Sequence, residues 1–365
     1  GHHSYEDVHE PILATYATLR TLPNVILVFG SGFGDGKDSY PYLSGEWSTS
    51  RGYCPMPFDA ILLASRLMVS REAATATAVK DLICATPGIT PGQELDWEKS
   101  YTTHAGGIIT VKSELGEPIH KIANRGMLLW REFDQKFFSL PRGEERNNAI
   151  ERAKPYIIKR INADFQKLYF GKKANGQVVD VADMTYAEVL CRMVELMFIP
   201  LESDSTVEQL GLDKGLSIDE VRHEDWTPHG RWLHPTFRSR VVNFMHRAQE
   251  RYTPDVPNIT TADLNVDPLS FLHKFCNANK DLNTKLLTED DLDYWFDLCQ
   301  TGGKPVNFVP VIDGDLSVWF KKDSLWYSED LAAVPGFEAA RVCILQGPIS
   351  TYYNRVANEP VAEIL

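Results

Sequence analysis

The chain has 365 residues, which at roughly 100–200 residues per domain argues for two domains. Its hydrophobic fraction of 43% is enough for a buried core, and this excludes wholesale disorder. With 37 basic against 50 acidic side chains, the formal charge is −13. Such a chain repels nucleic acid and anionic membrane, and no Lys/Arg block offsets this locally. No apolar run reaches the roughly 18 residues a membrane span needs, and no signal-peptide pattern opens the sequence.

Six cysteines are scattered (Cys54, Cys84, Cys191, Cys276, Cys299 and Cys343) and none forms a C-x-x-C pair. This spacing gives no zinc signature and fits a reducing, cytoplasmic setting better than a disulfide framework.

In chain order, Gly1-His2-His3-Ser4 comes first, with no initiator Met. On these residues alone it reads either as a purification-tag remnant or as a loop entering a helix. Ile12, Leu13, Tyr16, Leu19 and Leu22 recur at helical spacing within residues 5–22. The run Val25–Phe29 is short and continuously apolar, which predicts a strand buried on both faces, as in a parallel sheet. Gly30-Ser31-Gly32-Phe33-Gly34 follows at once. Glycines there let backbone amides approach an anion, although the spacing is G-x-G-x-G and not the dinucleotide fingerprint. A tight turn leaving a strand explains the same residues.

A long loop, Asp35–Met56, leads to a second apolar strand, Ala60–Ala64, and then Ser65-Arg66. Ala64-Ser65-Arg66 is placed to complete one phosphate site with the preceding glycine loop, an arrangement recurrent in (β/α)8 barrels. Arg66 is equally readable as a salt-bridged strand end. A helix over Glu72–Ile83 and a third strand at Ile108–Val111 continue the strand–loop–helix–strand pattern of βα units. The stretch Lys112–Asn124 mixes charges with Gly-Pro turn chemistry.

The pattern turns helical near residue 130. Helices are predicted at Ile150–Phe170, Tyr186–Phe198, Thr236–Tyr252, Pro268–Asn279 and Glu289–Gln300, with a polar insertion over 201–235. Strand-like runs close the chain at Val306–Val311, Val318–Lys321 and Arg341–Leu345. No G-x-S-x-G is present, which removes a serine-hydrolase reading. His223, His229 and His234 are spaced unlike any standard metal site. Asp323, Lys321 and Lys322 read as structural ion-pair partners.

Several strings are specific enough to carry a family resemblance. They are Gly1–Asp7, Phe29–Gly34, Tyr40–Ser48, Pro55–Asp59, Ser113–Ile122, Asn162–Lys167, Asp183–Val189, Phe320–Trp326 and Ile344–Pro348. In this order they resemble the enoyl reductase of the fungal fatty acid synthase beta subunit, over nearly the whole chain except about 201–235. The resemblance implies an α/β fold: a partial (β/α)8 TIM-type barrel, later strands only, over 1–130. A mainly α-helical connector would follow over 131–365.

It also implies an FMN cofactor and NADPH as hydride source, for reduction of the 2,3 double bond of an acyl chain on acyl carrier protein. Gly1-His2 matches the end of a loop whose histidine lies over the flavin, making His2 or His3 the candidate proton donor. Gly30, Ser31, Gly32 and Gly34, with Ala64, Ser65 and Arg66, match the places that hold the FMN phosphate. The implied partners are the synthase alpha subunit and further beta subunits in a large hetero-oligomer of the α6β6 kind. A half barrel leaves strand edges unpaired, so the isolated chain is expected not to catalyse. The alternatives are a scaffold segment without its own chemistry and a nitronate monooxygenase-like flavin oxidase.

Overall fold

The computed structural model describes residues 9–30, 32–90, 99–200, 226–227, 229–252, 259–264, 267–300, 306–322 and 331–364. Helices dominate, the sheets are small, and no barrel closes among the described residues. The chain divides into two compact units. Unit 1 comprises residues 1–136, 325–331 and 338–365, and unit 2 comprises 137–324 and 332–337. The sequence reading put all of 131–365 in one region, whereas 338–365 groups with unit 1.

Unit 1 opens with helix α1 (His9–Arg20) and strand β1 (Val28–Gly30). Helix α2 (Gly36–Ser44) starts at Asp35, whose carboxylate accepts from the amides of Lys37 and Asp38. That is the N-cap role for which Asp is favoured. Strand β2 (Ala60–Leu62) pairs with β1 in parallel, Gly30 facing Leu62. Phe29, Phe33, Trp47 and Phe58 form a core cluster beneath this pair, with Ile12 and Leu13 of α1 packed on it. Phe29 lies between Tyr42, stacked at 4.5 Å, and Phe58 at 4.9 Å.

The expectation of strands buried on both faces is corrected here. Val28 is 53% and Leu62 63% exposed, because β1 and β2 form a two-stranded sheet covered on one side only. The strand also begins three residues later than the apolar run suggested, since Val25 and Ile26 are exposed.

After helix α3 (Thr77–Ala85), strand β3 (Ile108–Lys112) forms an antiparallel hairpin with β4 (Pro118–Ile122). The strand expected at Ile108–Val111 is therefore present, and its ladder partner lies in the charged, turn-bearing stretch Lys112–Asn124. The Ser113 hydroxyl accepts from the amides of Leu115 and Glu117 and so shapes the turn. Ser100, Thr110 and His120 form a buried hydrogen-bonded chain, with 2.6 Å between the hydroxyls and 2.7 Å to Nδ1. Helix α4 (Arg125–Phe133), capped by Asn124, packs on the hairpin through Trp130. Lys121 Nζ lies 3.9 Å from the Trp130 ring centroid, a cation–π contact. The C-terminal segment runs beside β4, with Ile122 donating to the Ile344 carbonyl and Gln346 to that of His120.

Unit 2 begins with helix α5 (Glu144–Asp164), whose first turn carries Glu144 and Glu145, favourable charges at the positive helix end. Strand β5 (Leu168–Tyr169) pairs in parallel with a later strand, Phe308–Val309. Helix α6 (Tyr186–Met197) is set by a capping box in which Thr185 and Glu188 satisfy each other's amides. Its buried Tyr186, Val189, Leu190, Met193, Val194 and Met197 form one stripe at helical spacing. Strands β6 (Phe198–Pro200), β7 (Trp226–Thr227) and β8 (Gly230–Trp232) form an antiparallel sheet in the order β6-β8-β7. Strands β7 and β8 lie inside the stretch 201–235 that the sequence suggested was an irregular insertion, while 201–225 and 228 lie outside the described residues.

Helices α7 (Pro235–Tyr252), α8 (Pro268–Ala278) and α9 (Glu289–Gln300) follow, and α7 and α8 both pack on α6. Strand β9 (Phe308–Val309) leads to helix α10 (Leu316–Lys321), where the sequence suggested a strand. The apolar run there alternates poorly, and Leu316, Trp319 and Phe320 fall on one buried helical face. Phe320 stacks on Phe165 at 3.8 Å.

Candidate functional site

Because β1 and β2 are parallel and in register, the loops that follow them leave from the same end of the sheet. Gly32 adopts φ +76°, a left-handed conformation that a side chain would strain. Gly34 lies against the ring of Tyr353, where a Cβ would come within 1.8 Å. The Gly34 amide donates to Asp38 at 3.2 Å. Burial, and then a hydrogen bond with Asp38, push the Tyr353 phenol well above its ordinary range. The amides at the start of α2 are occupied by Asp35 at 2.9 and 3.0 Å.

After β2, Ala64 turns the chain into a short 3-10 helix over Ser65–Val69. The Ser65 hydroxyl accepts from the Gly347 amide at 3.1 Å, and its carbonyl accepts from Gln346 and Asn354. Arg66 is 6% exposed. Its Nε donates to the Gly34 carbonyl at 3.0 Å, Nη1 to Asn354 Oδ1 at 3.4 Å and Nη2 to Glu359 at 2.8 Å. The guanidinium therefore ties both loops to the C-terminal segment. Lys80, behind the 3-10 helix, donates to the Ser70 carbonyl and to Asn358, and burial lowers its ammonium pKa.

Gly30, Gly32, Gly34, Ala64, Ser65 and Arg66 thus share one end of one parallel pair, joined by the Gly34–Arg66 hydrogen bond. Ser31, His2 and His3 lie outside the described residues. His223 and Asp323 lie outside them too, and no group of three or more candidate metal ligands occurs among the described residues. His234 instead meets the Thr236 hydroxyl at 2.8 Å. Lys321 lies 5.1 Å from the Phe138 ring centroid.

Residues 1–209 and 223–365 match the family described as fatty acid synthase subunit beta/Fas1-like, helical. The chain belongs to this fatty acid synthase beta-subunit family. It is 43% identical over its whole length to the fatty acid synthase beta subunit aflB of Emericella nidulans, covering 16% of that protein. It is likewise 43% identical to the fatty acid synthase subunit beta of Schizosaccharomyces pombe, covering 17% of it. The counterpart from Saccharomyces cerevisiae is 41% identical, with 16% covered. The chain thus spans about one sixth of the length of the curated relatives it matches.

In this beta-subunit segment, the residues that sequence reasoning missed are Gln346, Gly347, Asn354 and Glu359, which brace Ser65 and Arg66 from about 280 to 290 positions away. No local spacing signals such partners. The string Ile344–Pro348, singled out for its resemblance, was the one available hint.

Proposed function

We propose that unit 1 forms the phosphate end of an FMN site in the enoyl reductase of a fungal-type fatty acid synthase. On this reading β1 and β2 are successive strands of a (β/α)8 barrel. Exposed Ile26, Val28 and Leu62 are then apolar surface that the rest of the barrel would cover. The observation that carries the proposal is the joining of the loops after β1 and β2 at one end of a parallel pair.

The donor set fits a phosphate. Gly32 bends the first loop with no side chain in the way, and Ser65 and Arg66 open a 3-10 helix, whose first amides lack intrahelical acceptors. The nearby carboxylates are already engaged: Asp35 and Asp38 by backbone amides, Glu359 by Arg66. The amides of Gly32, Ser65 and Arg66 would hold the phosphate, and the Arg66 side chain would keep the two loops in register. FMN, when bound, supplies the relay of hydride from NADPH to the acyl chain carried by acyl carrier protein. His2 or His3 would deliver the proton to the alpha carbon. Unit 2 is the helical connector, with a structural role in a cytoplasmic assembly with alpha subunits and other beta subunits.

The test is the flavin content of the full-length parent subunit carrying Gly32→Asp or Gly32→Asn. The two replacements are nearly the same in shape, and only the first sets a negative charge beside the phosphate. Flavin lost in Gly32→Asp but kept in Gly32→Asn supports the site. Flavin kept in both moves the chain to the scaffold reading.

A further inference from the structure

Unit 2 contains a cavity of about 350 Å³ between α6 and α8, lined in part by Lys172, Glu188, Cys191, His273 and Cys276. Two thiols meet at its wall. Cys191 on α6 is half-buried and Cys276 on α8 is buried, and both line this cavity. The two helices are directly packed, and both thiols lie on the cavity wall they share. An open cavity beside paired thiols is what a small oxidant requires, and a packing cysteine pair sealed in a core would lack it.

We propose that Cys191 and Cys276 form an oxidisable dithiol site that closes to a disulfide on reaction with a hydroperoxide. Exposure orders the roles: Cys191 is half-buried and open to the cavity, whereas Cys276 is buried behind it. Cys191 is accordingly the attacking sulfur. Its thiolate attacks one peroxide oxygen, the O–O bond breaks, and the leaving oxygen takes a proton to become water or an alcohol. Cys191 is then a sulfenic acid. Cys276, losing its proton, attacks that sulfur. The S–S bond forms, the S–O bond breaks, and the hydroxyl leaves as water. Two electrons pass from the two thiols to one hydroperoxide, and a dithiol reductant reverses the step. The product staples α6 to α8, which restrains the unfolded chain.

The test uses the full-length beta subunit in its assembly, treated with hydrogen peroxide. Remaining thiols are then alkylated, and the protein is digested without reductant and analysed by mass spectrometry. The expected result is a Cys191–Cys276 linked peptide that dithiothreitol releases and that forms faster than oxidation of the exposed Cys54. In Cys276→Ser, Cys191 should stop at a sulfenic acid trapped by dimedone. Should that variant fail to fold, the linked peptide in the unaltered subunit still decides. Cys191 reaching a sulfinic acid with no linked peptide, or Cys54 oxidised first with the pair intact, overturns the proposal.

Discussion

Arg66 Nε donates to the Gly34 carbonyl at 3.0 Å, so a buried guanidinium in the loop after β2 holds the loop after β1 in place. Its remaining donors reach Asn354 and Glu359, which makes it a junction of three segments. We expect Arg66→Met to destabilise unit 1 by about 3 kcal/mol, because it leaves Glu359 half-buried without its cation. The measurement is hydrogen exchange over residues 32–38 and 64–70 in the full-length subunit. Adding Glu359→Gln should recover part of the loss. Unchanged protection in the single variant would show that the junction contributes nothing.

Gly34 tests the same loop by volume. A Cβ there would sit 1.8 Å from the Tyr353 ring, so Gly34→Ala must displace the ring or the loop. The expected cost is about 1–3 kcal/mol, typical of overpacking. The double variant Gly34→Ala with Tyr353→Ala should recover part of it, read as the thermal midpoint. No recovery would mean that the alanine is excluded by backbone and not by the ring.

The longer helices of unit 2 were legible because their stripes and caps are local, whereas the six-residue α10 was read as a strand and the predicted helix to Phe170 stops at Asp164. Thr185 and Glu188 declare the start of α6 within four residues, and Tyr186–Met197 carries its buried face at spacings of three and four. The parallel pair β1–β2 was legible as two apolar runs, but its exposed face was not, because an apolar run says nothing about how many layers cover it. The hairpin partner of β3 was hidden by charge: Pro118–Ile122 contains His120 and Lys121, which are buried through Thr110 and Trp130 contacts that no local pattern encodes. The glycines and Ser65-Arg66 of the candidate site were visible as a motif. Their braces, Asn354 and Glu359, were not, since tertiary partners 288 and 293 residues away leave no periodic trace.

Lys167 is buried, and its ammonium donates to the Trp319 carbonyl at 3.0 Å and to that of Lys322. It caps the C-terminal end of α10, where a cation also meets the negative end of the helix dipole. Lys167→Met removes both hydrogen bonds while keeping most of the volume. We expect a loss of about 2 kcal/mol, and faster amide exchange at Lys322, whose amide closes the last turn onto Val318. If exchange at Lys322 is unchanged, the cap is not what holds that turn.

Asp291 gives unit 2 a pH dependence with a defined sign. Burial alone would raise its pKa, but hydrogen bonds from Arg251, Tyr186 and Arg247 outweigh that and hold it at about 2. The Arg251 and Arg247 contacts are 2.5 and 2.6 Å. A carboxylate whose pKa is depressed on folding contributes stability that is complete above its ordinary value, near 3.8, and is lost as pH falls toward 2. A shift of this size corresponds to about 2 kcal/mol. The partner phenol carries the opposite sign: burial, then its bond to Asp291, raise Tyr186 to about 12. Its contribution is therefore intact below pH 10 and declines as pH rises toward 12. Asp291→Asn keeps the shape but leaves two arginines facing a neutral amide, and should cost about 3 kcal/mol at neutral pH. The check is hydrogen exchange of α6, α7 and α9 in the full-length subunit from pH 5 down to pH 2. The unaltered protein should lose protection across the lower part of that range, and Asp291→Asn should start lower and change less. Parallel profiles for the two proteins would mean that other carboxylates set the acid limit and that Asp291 is already paired in the unfolded chain.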